Sequence, residues 1–500
     1  VPIDVDTPYS DGWWLKLLAK KFGEKPRRQR ALEGDSRRCE FTHAQWCNML
    51  WNRLVGDTPF LRVNEKYADA TREFMRLTRT NYAALTVGST QDRTALLGAR
   101  SSVDNDADGD TTVRRFMDAN GAFFADALTF TYTMGKGAVI VAPPQDGEQV
   151  ATATAEDPRE VVWVSDPVRP TKVRAALKLY RDDDLNEDVA HLFLSPIKGV
   201  PASEPEGRYR IRVARRTAGA AWTGLRFSGR DWEWDDDPEV SGPLPADQQE
   251  FGLPVVPLVN RFGMGEFEPV IDLLDRIHNG IADTLWTAKY QAFIQRALIG
   301  DLPETDPRTG EKVDYDSIFS ADPGALWRMP KGSEVWESRQ ADLTGMLNIR
   351  KADLLELSAT TQTPMFMFTP DATGQSAEGA DVARESSVNK AKDRIRRLNP
   401  AAVRISRLGL AYSDQIDAAR GEIETIWAPV REYSLSQRSS AASAAKTSGV
   451  PTRSILSDIW QFPPETVARM EKERRTELLF LPPATPATPA SSGAGSTQGA

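Results

Sequence analysis

The sequence predicts an α+β protein, and three observations point there. Two long segments, Glu268–Ile299 and Ala341–Thr360, repeat apolar residues every three or four positions. Between Ala138 and Trp234 the pattern changes to short apolar runs separated by Pro, Gly and Asp, as in an antiparallel sheet. The 500 residues exceed one compact core, so about two to four domains are expected.

Residues 1–60 read as mixed-charge helix, with a basic stretch at Lys20–Arg30 and apolar spacing over Phe41–Leu54. Tyr67–Leu77 and Arg115–Tyr132 fit the helical period, the second ending at Gly135. Ala138–Val141 reads as a buried strand closed by Pro143 and Pro144. Further strands are expected at Val161–Val164, Arg174–Tyr180, His191–Leu194, Tyr209–Ala214 and Trp232–Trp234. Pro254 and Pro257 make Phe251–Arg261 an edge strand, because proline cannot donate to a ladder.

A helix over Glu268–Ile299 would be on the order of 45 Å long and needs neighbours to cover its apolar stripe. Gly300–Arg339 breaks it with a small β-rich insertion, strands being expected near Ile318 and Val335. The second long helix follows. A loop, Thr363–Ser376, then leads into a Lys- and Arg-rich helix, Ala377–Arg397. Asn399-Pro400 ends that helix, and another runs to about Ala419. Thr425–Pro429 reads as a strand, and Ser434–Thr447 and Pro451–Leu479 as helices. Pro482–Ala500 holds only small and polar residues with Pro, and is expected to be disordered.

The net charge is -9, from 62 basic and 71 acidic residues. A DNA clamp that works by neutralising phosphates is basic, so any contact with DNA should be loose enough to slide. No apolar run is long enough to span a membrane. Trp13–Leu18 is too short for a signal-peptide core, so the chain is expected to stay in the cytoplasm where it is made. Two cysteines, Cys39 and Cys47, exclude a disulfide framework. Thirteen tryptophans fit core packing or interfaces of an assembly.

Catalytic and metal motifs fail on spacing. Asp104–Asp110 begins like a calcium loop, but the twelfth position is Arg115 instead of a bidentate Glu. Cys39, His43 and Cys47 share one helical face, which cannot surround a zinc ion. Gly374-Gln-Ser-Ala-Glu-Gly379 lacks the second Gly of a nucleophile elbow, as Glu378 stands there. His43, His191 and His278 have no triad context, Asp235-Asp236 has no pocket signature, and no phosphate-binding P-loop exists. The expectation is a non-enzymatic protein with no cofactor and no metal.

Four segments, in this order, carry a resemblance to a known family. Pro254-Val-Val-Pro-Leu-Val-Asn-Arg261 leads into Gly265-Glu-Phe-Glu-Pro-Val-Ile-Asp-Leu-Leu-Asp-Arg276. The long helix ending at Gly300 comes next. Ala359-Thr-Thr-Gln-Thr-Pro364 precedes Gly374-Gln-Ser-Ala-Glu-Gly-Ala380, where Ala377 replaces a frequent Gly. Trp427-Ala-Pro429, Ala441–Gly449 and Pro463-Pro-Glu-Thr-Val467 complete the series. Asn81 and Gly135–Val141 fit less specifically. In this order the segments resemble the portal proteins of tailed bacteriophages, particularly long-tailed phages of actinobacteria.

The resemblance implies a portal fold: an α/β wing, two long stem helices, a small β-rich clip and a helical crown. On this chain it implies an N-terminal arm over 1–60, the wing over 61–265 and stem helices over 266–300 and 340–362. The clip falls at 301–339, the tunnel loop at 363–376, its helix and the return to the wing at 377–433, the crown at 434–480 and a tail at 481–500. It also implies a homo-oligomeric ring, usually of about twelve subunits, at one capsid vertex. Double-stranded DNA would pass through it during packaging and ejection. The partners implied are the terminase large subunit, the head–tail adaptor, the major capsid protein and a scaffold, in the virion and, during assembly, the host cytoplasm.

The tunnel loop would comprise Thr363, Pro364, Met365, Phe366, Met367, Phe368, Thr369, Pro370, Asp371, Gly374 and Gln375. Its apolar residues either meet the next subunit or DNA, or fill this subunit's own core. Arg350, Lys351, Lys390, Lys392, Arg394 and Arg396 are candidates for guiding DNA, the competing role of each being an ordinary ion pair. Asp316, Phe319, Trp327 and Arg328 are the candidate clip contacts. The alternatives are a capsid or head–tail protein without a channel, and a carbohydrate-active hydrolase with a Trp-rich sheet.

Overall fold

The structure, a computed structural model, describes residues 3–24, 41–58, 76–103, 112–145, 147–197, 207–218, 231–237, 240–292, 296–299, 304–306, 308–314, 334–337, 342–369, 377–431, 435–462 and 464–480. Helices and strands are mixed, as expected for an α+β chain.

Helix α1 (Asp11–Gly23) begins where the Ser10 hydroxyl accepts the Trp13 amide. Helix α2 (His43–Leu54) begins with a capping box between Thr42 and Gln45. Both are core elements: α1 buries Trp14, Leu15 and Leu18, and α2 buries Cys47 and Leu50. Each fully buried leucine contributes about 1.5–3 kcal/mol. The described part of the expected arm is thus packed into the fold. Helix α3 (Tyr82–Gln91) is capped by Asn81, and strand β1 (Leu96–Ser101) follows.

Arg115–Tyr132 is two helices instead of one, α4 (Thr112–Ala119) and α5 (Phe123–Met134). Asn120 donates back to the Phe116 carbonyl at 2.7 Å, and Gly121 takes a left-handed φ of 58°, which together end the first helix. At the end of α5, Gly135 turns the chain with φ 79° into β2 (Lys136–Ala142). A Cβ there would lie 2.4 Å from the Gly263 carbonyl oxygen.

Strand β2 is the centre of a three-stranded antiparallel sheet between β3 (Thr152–Glu156) and β10 (Val255–Val259). Strand β10 is an edge, where Pro257 faces Ala138 without a donor to waste. The larger sheet orders β4 (Val161–Ser165), β5 (Val173–Asp182), β6 (Glu187–Leu194), β7 (Arg210–Thr217) and β8 (Glu233–Asp235), with β9 (Gly242–Pro243) beside β7. One face, with Val162, Leu177, Leu192 and Trp232, receives α1. The other, with Ala176 and Phe193, meets Ile140 and Val255 of the smaller sheet.

The first long helix, α6, spans Ile271–Ala292 and stops seven residues short of expectation, at ~33 Å. Arg296–Ile299 forms strand β11 instead, pairing antiparallel with β12 (Glu334–Glu337). The short apolar run Ala297-Leu-Ile299 fits helix or strand, and pairing with Glu334–Trp336 decides it. The strand expected near Ile318 lies outside the described residues. The second long helix, α7 (Thr344–Thr361), packs against α6.

A one-turn helix, α8 (Met365–Phe368), follows. Helix α9 then runs 36 residues, Ala377–Tyr412, straight through Pro400, where a break was expected. Proline removes one backbone bond and costs a helix interior about 3 kcal/mol. Here one buried stripe, Leu398, Ala402, Ile405 and Leu408, crosses the proline and holds both halves to the same core. Asn399 adds a pin, its Oδ1 accepting the Trp427 indole at 3.0 Å. After α10 (Ile416–Arg420), β13 (Ile423–Trp427) pairs antiparallel with β1. Helices α11 (Leu435–Thr447) and α12 (Pro464–Phe480) complete the described chain, a π turn at Ile455–Ile459 between them.

Candidate functional site: the junction behind the apolar loop

The loop between α7 and α9 starts from a buried junction built around one carboxylate. Glu266 lies just before α6. Lys390 and Arg394, four apart on α9, share one helical face. Lys390 Nζ lies 2.9 Å from Glu266 Oε2, and Arg394 Nε 2.6 Å from Oε1. Glu266, Lys390 and Arg394 are at most 8% exposed. Asn260 Nδ2 adds a hydrogen bond to Oε1 at 3.0 Å, and Arg394 also holds Asp393 at 2.7 Å.

The backbone before α6 explains how a carboxylate comes to be buried. The Glu266 amide donates to the Tyr132 carbonyl at 2.7 Å. Gly265 presses on the last turn of α5 so closely that a Cβ would lie 2.1 Å from the Thr133 oxygen. Phe267 is fully buried, and Glu268 accepts the Trp46 indole at 2.6 Å and the Gly265 amide at 2.8 Å. Gly265-Glu-Phe-Glu268 is therefore a clasp between the smaller sheet and the long helices.

Burial pushes the Glu266 carboxyl up, but Lys390 and Arg394 outweigh it and hold the group below the ordinary glutamate range. Burial pushes the Lys390 ammonium down, against the pull of Glu266. Burial also disfavours the Arg394 charge, and the bonds to Glu266 and Asp393 more than restore it. With Asp393 counted, two carboxylates face two cations.

The junction aims the loop. Lys390 Nζ also donates to the Thr361 carbonyl at 2.9 Å, one of the acceptors a helix end leaves open. Gln362 closes α7 with φ 56°, the Thr363 amide returns to Ser358 O at 3.1 Å, and Ser358 Oγ donates to Thr363 O at 2.7 Å. Between α6 and α7, Arg276 bridges Asp353 at 2.8 Å and Glu356. Arg53 holds Asp275 at 2.7 Å.

The structure divides the expected loop residues. Thr363, Pro364 and Phe368 are buried, Phe368 standing edge-on to Tyr82 at 5.7 Å. Met365 packs on the main core, Met367 and Thr369 are half-buried, and Phe366 is exposed beneath the Arg384 guanidinium at 5.4 Å. These apolar groups thus divide between this chain's own core and its surface. Pro370, Asp371, Gly374 and Gln375 lie outside the described residues.

Of the six candidate guiding cations, Lys390 and Arg394 are buried and paired with Glu266, the competing ion-pair role. Arg350 donates to the Tyr82 hydroxyl at 3.1 Å, while Lys351, Lys392 and Arg396 are exposed. Asp316, Phe319, Trp327 and Arg328 lie outside the described residues.

His43 Nε2 contacts Pro158 O at 3.2 Å, and burial drives its imidazole down to about 4. Burial pushes the neighbouring Cys47 thiol up to about 12. Cys39, Asp104–Asp110 and Ser376 lie outside the described residues, among which no cluster of His, Cys, Asp and Glu could hold a metal. Asp235 and Asp236 pair with Arg215 and Arg212 at 2.9 and 3.0 Å. No described helix is long and apolar enough to cross a membrane.

The chain matches the family described as phage portal protein, SPP1 Gp6-like, over residues 233–478. That span contains the clasp, α6, α7, the loop and all of α9. No curated protein matches the chain. Among solved structures, one similar chain comes from the virion of a native gene transfer agent particle. It has 11% identity and a TM-score of 0.37, covering 83% of this chain and 99% of that one, a likeness too slight to carry an argument. Over residues 233–478, about half its length, the chain belongs to the phage portal protein family.

Proposed function

We propose that the chain forms a ring of about twelve copies at one capsid vertex of a phage and conducts double-stranded DNA during packaging and ejection. The carrying observation is the portal match, which spans both long helices and the loop between α7 and α9. In this reading α6 and α7 are the stem, β11 and β12 belong to the clip, α8 and the residues up to 376 form the tunnel loop, and α11 with α12 forms the crown. The two sheets and α1–α5 make the wing. The chain conducts without catalysing, and a separate ATPase drives DNA. The clip docks the terminase large subunit, later replaced by the head–tail adaptor, and the wing meets the major capsid protein and a scaffold.

Two features support the reading. Leu347, Ile349 and Leu355 on α7 are 55–62% exposed in the lone chain, which suits helices covered by neighbouring subunits. The acidic total charge suits a conduit that DNA slides through without sticking. Electron microscopy of the purified chain, with its mass in solution, tests the proposal. Top views should show closed rings with an open axial hole; a monomer at every concentration, alone and inside procapsids, would refute it. Deleting 370–375 should spare the ring and impair packaging, whereas deleting Thr363–Gln375 would also remove buried Phe368.

A further inference from the structure

A cavity of about 910 Å³ opens between the two sheets, away from the junction. Its floor is the face of the large sheet that α1 does not cover: Tyr180, His191, Phe193 and Ile211. Leu244 and Pro254 close its sides. The volume lies in the range of small-molecule sites.

Its charged lining groups are paired with one exception. Lys178 Nζ lies 2.9 Å from Glu156 Oε2 and 5.7 Å from the Tyr180 ring centroid, so the cavity already holds one alkylammonium between a carboxylate and an aromatic face. Arg159 is spent on Asp157, and Arg181 on Asp188. Glu160, an exposed residue, lines the rim of the cavity, and its carboxylate has no hydrogen-bond or ion-pair partner among the described residues. Burial, with Asp157 and Glu156 nearby, pushes that carboxyl up.

Two lining groups lie deeper. Gln248 Oε1 and Tyr412 Oη have no hydrogen-bond partner among the described residues, in residues 8% and 3% exposed. A buried polar atom without a partner costs stability unless something fills the place. Gln248 Oε1 can only accept, and Tyr412 Oη can accept. Together with Glu160 they ask for a donor-rich ligand with an apolar stem. Arg404, whose charge is felt at Tyr412, donates to Leu253 O at 3.1 Å and Thr171 O at 3.4 Å.

We infer that this cavity binds an organic cation, its alkyl stem lying on the Tyr180–Phe193 floor and its ammonium or guanidinium groups taken by Glu160, Gln248 and Tyr412. Either a free polyamine or an Arg or Lys side chain from a polypeptide supplies this chemistry.

Calorimetric titration of the purified full chain at low salt with spermidine, and separately with N-acetyl-arginine amide, distinguishes the sources. Inorganic phosphate serves as the anion control. At least one cation should saturate with a Kd below ~1 mM and weaken at least about tenfold in Glu160→Gln and in Tyr412→Phe. Spermidine alone identifies a polyamine site, and the arginine derivative alone a docking site for a side chain. Tyr412→Phe deletes only an orphaned hydroxyl, so the unliganded variant should melt no lower than the parent, which keeps the binding assay readable. Failure of both cations, binding indifferent to both substitutions, or phosphate binding in their place would overturn the inference.

Discussion

Glu266 and Arg394 are 128 positions apart in the chain, yet their side chains meet at 2.6 Å inside the protein. Lys390 completes the pair into a triad that also holds the last carbonyl of α7. The same contact sets where the loop leaves the body, so stability and loop position should change together.

Glu266→Ala leaves two buried cations without their carboxylate. Breaking a buried pair in this way costs about 3–5 kcal/mol, which denaturant unfolding of the chain will measure. Replacing Glu266, Lys390 and Arg394 together by Met should cost far less, because no charge is then left unpaired. A triple variant as unstable as Glu266→Ala would show that the triad matters beyond its charge.

Gly265→Ala should be among the most damaging single substitutions outside any catalytic context. The added methyl meets backbone, at 2.1 Å from Thr133 O, so no side chain can yield. A loss of at least about 3 kcal/mol, or insoluble protein, is expected. Gly280→Ala on α6, where a Cβ meets nothing within 4 Å, is the matched control and should be neutral or slightly stabilising.

Phe366 and Phe368 should separate folding from function. Phe368→Ala empties a buried position beside Tyr82 and should cost about 3–5 kcal/mol. Phe366→Ala removes an exposed ring and should change stability by under ~0.5 kcal/mol while slowing DNA packaging. Equal packaging by parent and Phe366→Ala would remove Phe366 from the DNA-facing surface.

The chain should lose stability in mild acid. Burial pushes the imidazoles of His43 and His191 from 6.5 to about 4. The unfolded chain therefore binds protons that the folded chain refuses, so stability is complete above about pH 6.5 and falls towards pH 4. Glu266, depressed below 4.5, adds a second loss at still lower pH. Melting temperature against pH should flatten between pH 4 and 6.5 when both histidines become Gln.

Where strand-forming runs are cut short by turn residues, the sequence was legible. The strands around Arg174–Tyr180 and His191–Leu194 were expected because short β-rich runs are bounded by turn residues, and the end of α5 because Gly135 cannot be read otherwise. The misses have physical causes. Leu96–Ser101 and Thr152–Glu156 have weak strand composition, and pairing makes them strands, the first with distant β13 and the second with neighbouring β2. Pro400 is a correct local signal overridden by a stripe buried on both sides of it. The junction was hidden because Lys390 and Arg394 look like solvated cations in the sequence. Only Gly265-Glu-Phe-Glu-Pro, an acidic pair pressed between a strand and a helix start, hinted at a buried carboxylate.

Strand β1 is zipped to β13, Arg100 reaching Glu424 across 324 positions. The ribosome must release the chain through Trp427 before that seam can shut. Closing so long a loop costs little extra entropy, because the cost grows only logarithmically, but it makes the last step a late one. A nascent chain stalled before Ile423 keeps β1 as a bare edge. Fragments that end before β13 therefore lack this seam and leave the β1 edge open to pairing with other chains.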